Sequence, residues 1–110
     1  MKSPLNQQMR DSVLQMFLDG IKEFEKKIIS VYLFGSRARQ TFRPDSDYDL
    51  LIVAEDKTIK DKLYDLAVDI FCKTGSDISL KILKKDDFEK LKFLSTPFIE
   101  NILKEGIKIA

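Results

Sequence analysis

The sequence predicts a domain of the α+β or α/β class, a β-sheet covered by helices. Three observations carry that prediction. The run Ile28-Ile29-Ser30-Val31-Tyr32-Leu33-Phe34 is β-branched or aromatic almost throughout, as a largely buried strand requires. Two further strand-like runs, Asp47 to Val53 and Asp77 to Leu83, follow it, the second alternating Ile78, Leu80 and Ile82 against Asp77, Ser79 and Lys81. Helical periodicity separates and flanks the strands. With 110 residues and 44% hydrophobic content, the chain is expected to form a single domain over 1–110 around one core.

The elements follow in order. Val13, Met16, Phe17, Gly20, Ile21 and Phe24 recur at three- and four-residue spacing, predicting an amphipathic helix from about Leu5 to Lys27. Gly20 weakens its continuity. After the first strand, Gly35 breaks the chain and a short helix starts at Ser36. Residues Thr41 to Ser46, with Pro44, form a connection. This connection leaves open whether the first two strands run parallel. A helix opened by Asp56 or Thr58 runs to about Lys73, with Ile59, Leu63, Leu66, Ala67 and Ile70 on one face. Gly75 suits a left-handed cap. Asp86 and Glu89 resemble a capping box for a helix through about Leu94. Thr96 and Pro97 then start a last helix ending near Gly106. Ile107-Lys108-Ile109 forms a small edge strand. Of the terminal apolar residues Phe98, Ile99, Ile102, Leu103 and Ile107, packing on the domain's own core is expected, with docking on a partner as the alternative.

Composition removes several chemistries. There is no histidine, so serine triads, imidazole acid–base catalysis and ordinary zinc sites are excluded. Cys72 is the only cysteine; no intrachain disulfide is possible, and a half-buried inert thiol is expected. One cysteine among many lysines suits a reducing cytoplasm. No signal peptide and no membrane-length apolar run are evident. Lys and Arg number 19 and Asp and Glu 18, a net charge of +1, which argues against gripping long nucleic acid.

The chemistry concentrates between Leu33 and Val53. In Leu33-Phe34-Gly35-Ser36-Arg37-Ala38-Arg39 a strand ends in a Gly-Ser turn. Glycine permits close backbone approach to a ligand, the following helix offers unpaired N–H groups, and the Ser36 hydroxyl can bond a phosphate oxygen. A plain strand-to-helix turn with Ser36 as N-cap is the competing reading. In Ser46-Asp47-Tyr48-Asp49-Leu50-Leu51-Ile52-Val53, Asp47 and Asp49 lie two apart and face the same way, with Leu51 and Val53 beneath them. Like charges beside an apolar strand repel, and a divalent cation relieves that cost. Asp77, on the polar face of the third strand, completes a possible trio with a role in activating an attacking hydroxyl. Solvated aspartates and a turn residue are the alternatives. Arg37, Arg39 and Arg43 can neutralise phosphates or simply form a solvated helix face. Tyr32, Tyr48 and the phenylalanines read as core.

Taken together, Gly35-Ser36-Arg37-Ala38-Arg39, Ser46 to Val53 and Asp77 resemble the nucleotidyltransferase superfamily of DNA polymerase β and kanamycin nucleotidyltransferase, in its minimal (MNT) branch. The resemblance spans about Ile28 to Leu83. It implies a mixed sheet with helices, two Mg²⁺ ions bound by Asp47, Asp49 and Asp77, and a nucleoside triphosphate such as ATP held by Gly35 and Ser36, with Arg37, Arg39 and Ser46 around it. It further implies attack of an acceptor hydroxyl on the α-phosphate. In that branch the transferase is often paired with a HEPN-domain protein, and some pairs are toxin–antitoxin systems in which AMP is added to a tyrosine of the toxin. A non-catalytic antitoxin and an aminoglycoside-modifying enzyme are the other functions the resemblance admits; a homo-oligomer is also possible. Gln40 stands where members commonly have glycine.

Overall fold

The computed structural model describes residues 11–39 and 47–110, with the backbone alone at Ser36 and Arg39. Expectations for the start of the first helix and for Gln40, Arg43 and Ser46 fall outside these residues. Helix α1 spans Ser12–Gly20. Its N-cap is Asp11, whose Oδ1 accepts the Val13 and Leu14 N–H groups at 2.9 and 3.2 Å, satisfying donors that a helix start leaves orphaned. The single long helix expected to reach Lys27 is instead divided at Gly20, after which Ile21–Phe24 tightens into a 3-10 turn. Glycine is a weak helix former, and here it also serves packing. A Cβ at Gly20 would lie 2.5 Å from Leu66 Cδ1.

Strand β1 is Ile28–Phe34, α2 the single turn Ser36–Arg39, β2 Tyr48–Ala54, α3 Lys60–Thr74, β3 Ile78–Lys84, α4 Lys85–Phe93, α5 Pro97–Glu105 and β4 Ile107–Lys108. The sheet order is β3-β2-β1-β4. β1 and β2 pair antiparallel, β2 and β3 parallel, and β1 and β4 antiparallel. The α+β class and the mixed sheet are therefore as expected, and the open question of the first two strands resolves to antiparallel. The parallel β2–β3 pair is possible because α3 carries the chain back across one face. Gly75 ends α3 in the left-handed region at φ 78°, its N–H donating to the Phe71 carbonyl at 2.7 Å.

Alternation along the strands creates two cores. Val31, Leu33, Tyr48, Leu50, Ile52, Ile78 and Leu80 point to one face and pack with Leu14 and Phe17 of α1 and Leu63, Ala67 and Ile70 of α3. Leu51 and Val53 point to the other and pack with Phe88 of α4 and Ile99 and Ile102 of α5. Each fully buried aliphatic or aromatic side chain contributes about 1.5–3 kcal/mol of transfer free energy. Burial on both faces, more than helix propensity, holds the short helices in place. The C-terminal segment packs largely on this core, as expected, but Phe98 and Leu103 stay exposed.

Three local expectations are corrected. Cys72 is exposed rather than half-buried, because it lies off the Leu63-Ala67-Ile70 stripe of α3. Helix α4 has Lys84 at its N-cap and no side-chain capping bond; the chain passes from β3 into the helix without the Asp86 box. Thr96 does stand at the N-cap of α5 with Pro97 in its first turn, but makes no side-chain cap, its hydroxyl donating instead to the Leu91 carbonyl at 3.5 Å.

Asp56 shapes the turn before α3. It accepts both the Thr58 N–H, at 2.9 Å, and the Thr58 hydroxyl, and Lys27 Nζ stands 3.5 Å from its other oxygen. The Thr58 bonds, with a smaller contribution from Lys27, hold the Asp56 carboxyl below its ordinary range. A carboxylate lowered on folding stabilises the fold above its unfolded pKa, and that contribution disappears as pH falls through the folded value. The melting-temperature gap between the parent chain and Asp56→Asn should therefore close as pH drops below about 4. A gap that stays constant from neutral pH to pH 3 would contradict this.

Candidate functional site

The site forms at the corner where β1 ends and β2 begins. Register places Phe34 opposite Asp49, so the Gly35 turn emerges beside that carboxylate. Gly35 has φ +75°, and a Cβ there would collide with the Asp49 carboxylate. Glycine is thus required twice, for the left-handed backbone and for the close approach. The Gly-Ser turn and the second aspartate of the pair are in direct contact. Helix α2 is only four residues long, so a phosphate at this turn would be held by local N–H groups, with little help from a helix dipole.

Asp49, half-buried, leaves β2 on the face that carries Leu51 and Val53, and Asp47, exposed, lies just ahead of the strand. On the neighbouring strand Tyr48 pairs with Ile78 and Asp49 with Ser79, and the Tyr48 N–H donates to the Asp77 carbonyl at 2.9 Å. Extending that parallel register by one position puts Asp77 beside Asp47. Asp47 and Asp77 thus stand side by side at the same end of the sheet, one residue ahead of β2 and β3, close to Asp49. They do not close on a common point: among the described residues no group of three or more Asp, Glu, Cys or His side chains is placed to hold a metal ion. Carboxylates repel one another, and Asp47 and Asp77 are both exposed to water.

Arg37 packs inward on Tyr48. Its guanidinium carbon stacks 3.8 Å from the centroid of the Tyr48 ring, on the face opposite Asp49. Its side chain is 8% exposed, with Nη1 3.9 Å from Asp11 Oδ2. The Tyr48 hydroxyl donates to the same oxygen at 2.7 Å. Burial, then the Asp11 hydrogen bond and charge, push the Tyr48 phenol well above the usual tyrosine range, so it stays a donor. Asp11 is a residue that motif reasoning misses. Its only sequence signal is an N-cap type ahead of an amphipathic run, which says nothing about Tyr48.

A glycine turn against the Asp49 carboxylate at the corner of a mixed sheet is compatible with proteins that act by nucleotidyl transfer. Residues 19–110 match the family described as Polymerase beta, Nucleotidyltransferase. The chain belongs to that family and is a nucleotidyltransferase by class. It is 29% identical over 97 residues to "Putative protein adenylyltransferase MJ0604" of Methanocaldococcus jannaschii, a match covering 87% of this chain and 93% of that relative. Among solved structures it resembles a toxin–antitoxin complex with AMP-PNP, with TM-score 0.56 and 21% identity, covering 98% of this chain and 73% of the other. A mutant of the MntA-HpeT toxin–antitoxin pair gives TM-score 0.53 at 19% identity, with the same coverages of 98% and 73%. A nucleotidyltransferase-like structure from Sulfolobus solfataricus gives TM-score 0.50 at 17% identity, covering 97% and 87%. At these identities the structures establish a shared fold. No helix among the described residues is long and apolar enough to cross a membrane.

Proposed function

We propose that this chain transfers AMP from ATP, with Mg²⁺, to a hydroxyl of a protein partner, a tyrosine of a HEPN-type toxin being the favoured acceptor. The observation that supports the reading is the close approach of the Gly35 turn to Asp49, so that a phosphate held at the turn would lie beside that carboxylate. The similarity to "Putative protein adenylyltransferase MJ0604" supports a protein as acceptor, and the fold shared with toxin–antitoxin structures favours a toxin; the tyrosine rests on the family resemblance.

The residues suit magnesium, which favours oxygen ligands and is commonly held by one or two carboxylates plus substrate phosphates. Asp47 and Asp49 would hold it. The ion, when bound, offsets the charge of the triphosphate and of the developing transition state. The Gly35–Ser36 turn would hold the phosphates through backbone N–H groups, Ser36 and Ser46 adding hydroxyls, with Arg39 as the remaining cationic candidate of the turn. Asp77, beside Asp47 in register, would orient the acceptor hydroxyl and take its proton. The acceptor oxygen bonds to the α-phosphorus as the bond to the bridging oxygen breaks, and pyrophosphate leaves.

Phe34 and exposed Phe98 stack edge-on with centroids 5.8 Å apart, and this apolar edge next to the turn would flank the acceptor. The test is incubation of the chain and its genomic neighbour with labelled ATP and Mg²⁺. Label should appear on the neighbour and vanish with Asp47→Ala/Asp49→Ala. Transfer that survives the double substitution would overturn the carboxylate roles. Inhibition of the neighbour without any labelling would favour a binding-only antitoxin.

A further inference from the structure

Asp11, Tyr48 and Arg37 belong to three separate elements, yet their polar groups meet at one oxygen. Tyr48 sits between Asp47 and Asp49 in sequence but turns its ring to the opposite face. Arg37 is two residues beyond Gly35, in the turn that would cradle phosphate. Its guanidinium covers the Tyr48 ring at 3.8 Å. Asp11 Oδ2 accepts the Tyr48 hydroxyl at 2.7 Å and faces Arg37 Nη1 at 3.9 Å, while Oδ1 caps α1. One carboxylate therefore binds the start of α1, the Gly-Ser turn and the aspartate strand together. Cation, anion and ring meet at a part-buried point, the Arg37 side chain itself nearly covered. Bringing Arg37 round to a phosphate on the other face would break both its stack on Tyr48 and its approach to Asp11.

We propose that Asp11, Tyr48 and Arg37 form a clasp that fixes the Gly35–Ser36 turn against the Asp47–Asp49 strand, making Arg37 a positioning residue and not a phosphate ligand. Its consequence for turnover rests on the nucleotide-transfer reading above; its geometry does not. The clasp acts by holding the phosphate donors and the carboxylates at one separation, so that substrate binding need not order them.

The test compares Tyr48→Phe, Asp11→Asn, Arg37→Met and the double variant Tyr48→Phe/Arg37→Met in the full chain. Asparagine keeps an N-cap acceptor while losing the charge that faces Tyr48 and Arg37. Each single variant should raise amide hydrogen exchange across residues 35–39 about tenfold or more. Each should also weaken binding of a non-hydrolysable ATP analogue by about 5–20-fold and lower kcat, with the double variant far less than additive. Ile70→Val, a core variant remote from the turn, controls for general loss of stability. Well below its melting temperature it should leave exchange at 35–39 and kcat/KM unchanged. Loss of analogue binding in Arg37→Met alone, with Asp11→Asn and Tyr48→Phe normal, would overturn the proposal in favour of direct phosphate contact. Unchanged exchange at 35–39 in all variants would overturn the clasp itself. A parent chain that transfers no nucleotide would count against the transferase reading only, since exchange still decides the clasp.

Discussion

Asp49→Asn is expected to cut nucleotidyl transfer by about a thousandfold or more while leaving the fold intact. The substitution is nearly isosteric, keeping the side chain's shape while removing its charge, so the chain should still fold. Transfer, by contrast, loses a ligand charge at the point where phosphate negative charge concentrates. Electrostatic contributions of that kind are worth several kcal/mol, and about 4 kcal/mol corresponds to roughly a thousandfold in rate. Single-turnover transfer from labelled ATP, with a thermal melt on the same sample, separates the two effects. A rate within tenfold of the parent would remove Asp49 from the reaction.

Gly35→Ala should damage both stability and nucleotide binding. At φ +75° a side chain imposes backbone strain of roughly 1–3 kcal/mol. The added methyl would also force the Asp49 carboxylate out of its place beside the turn. For a domain of this size each kcal/mol lowers the melting temperature by about 4–8 °C. Affinity for an ATP analogue should fall by about tenfold or more, measured at a temperature where the variant remains folded. An alanine variant that melts and binds like the parent would mean that neither the turn conformation nor its contact with Asp49 matters.

Much of this architecture was legible in the chain because burial dictates periodicity. The continuous apolar run of β1 and the two-residue alternation of β3 announce strands, and Leu63, Ala67 and Ile70 mark the inner stripe of α3. Strand direction was not legible. It depends on which backbone edges pair, and the short stretch between β1 and β2 is compatible with several routes. Asp47 and Asp49 could be placed on one face from spacing alone, and β3 could be expected to bring Asp77 near. The register that sets Asp77 beside Asp47 is a tertiary result. Arg37 shows the opposite limit: its position in a phosphate-like motif suggested a ligand, whereas stacking on Tyr48 and the charge of Asp11 turn it inward. Cys72 and the Asp86–Glu89 pair show local signals overridden by how a helix is rotated and where it starts.

The sheet ends on both sides in ways that bear on how this chain meets others. On one flank β3 presents Lys81 and Lys84 to solvent, and on the other β4 is only two residues long and carries exposed Lys108. Charged lysines and very short outer strands discourage another chain from adding itself to the ladder and guard against strand-to-strand self-association.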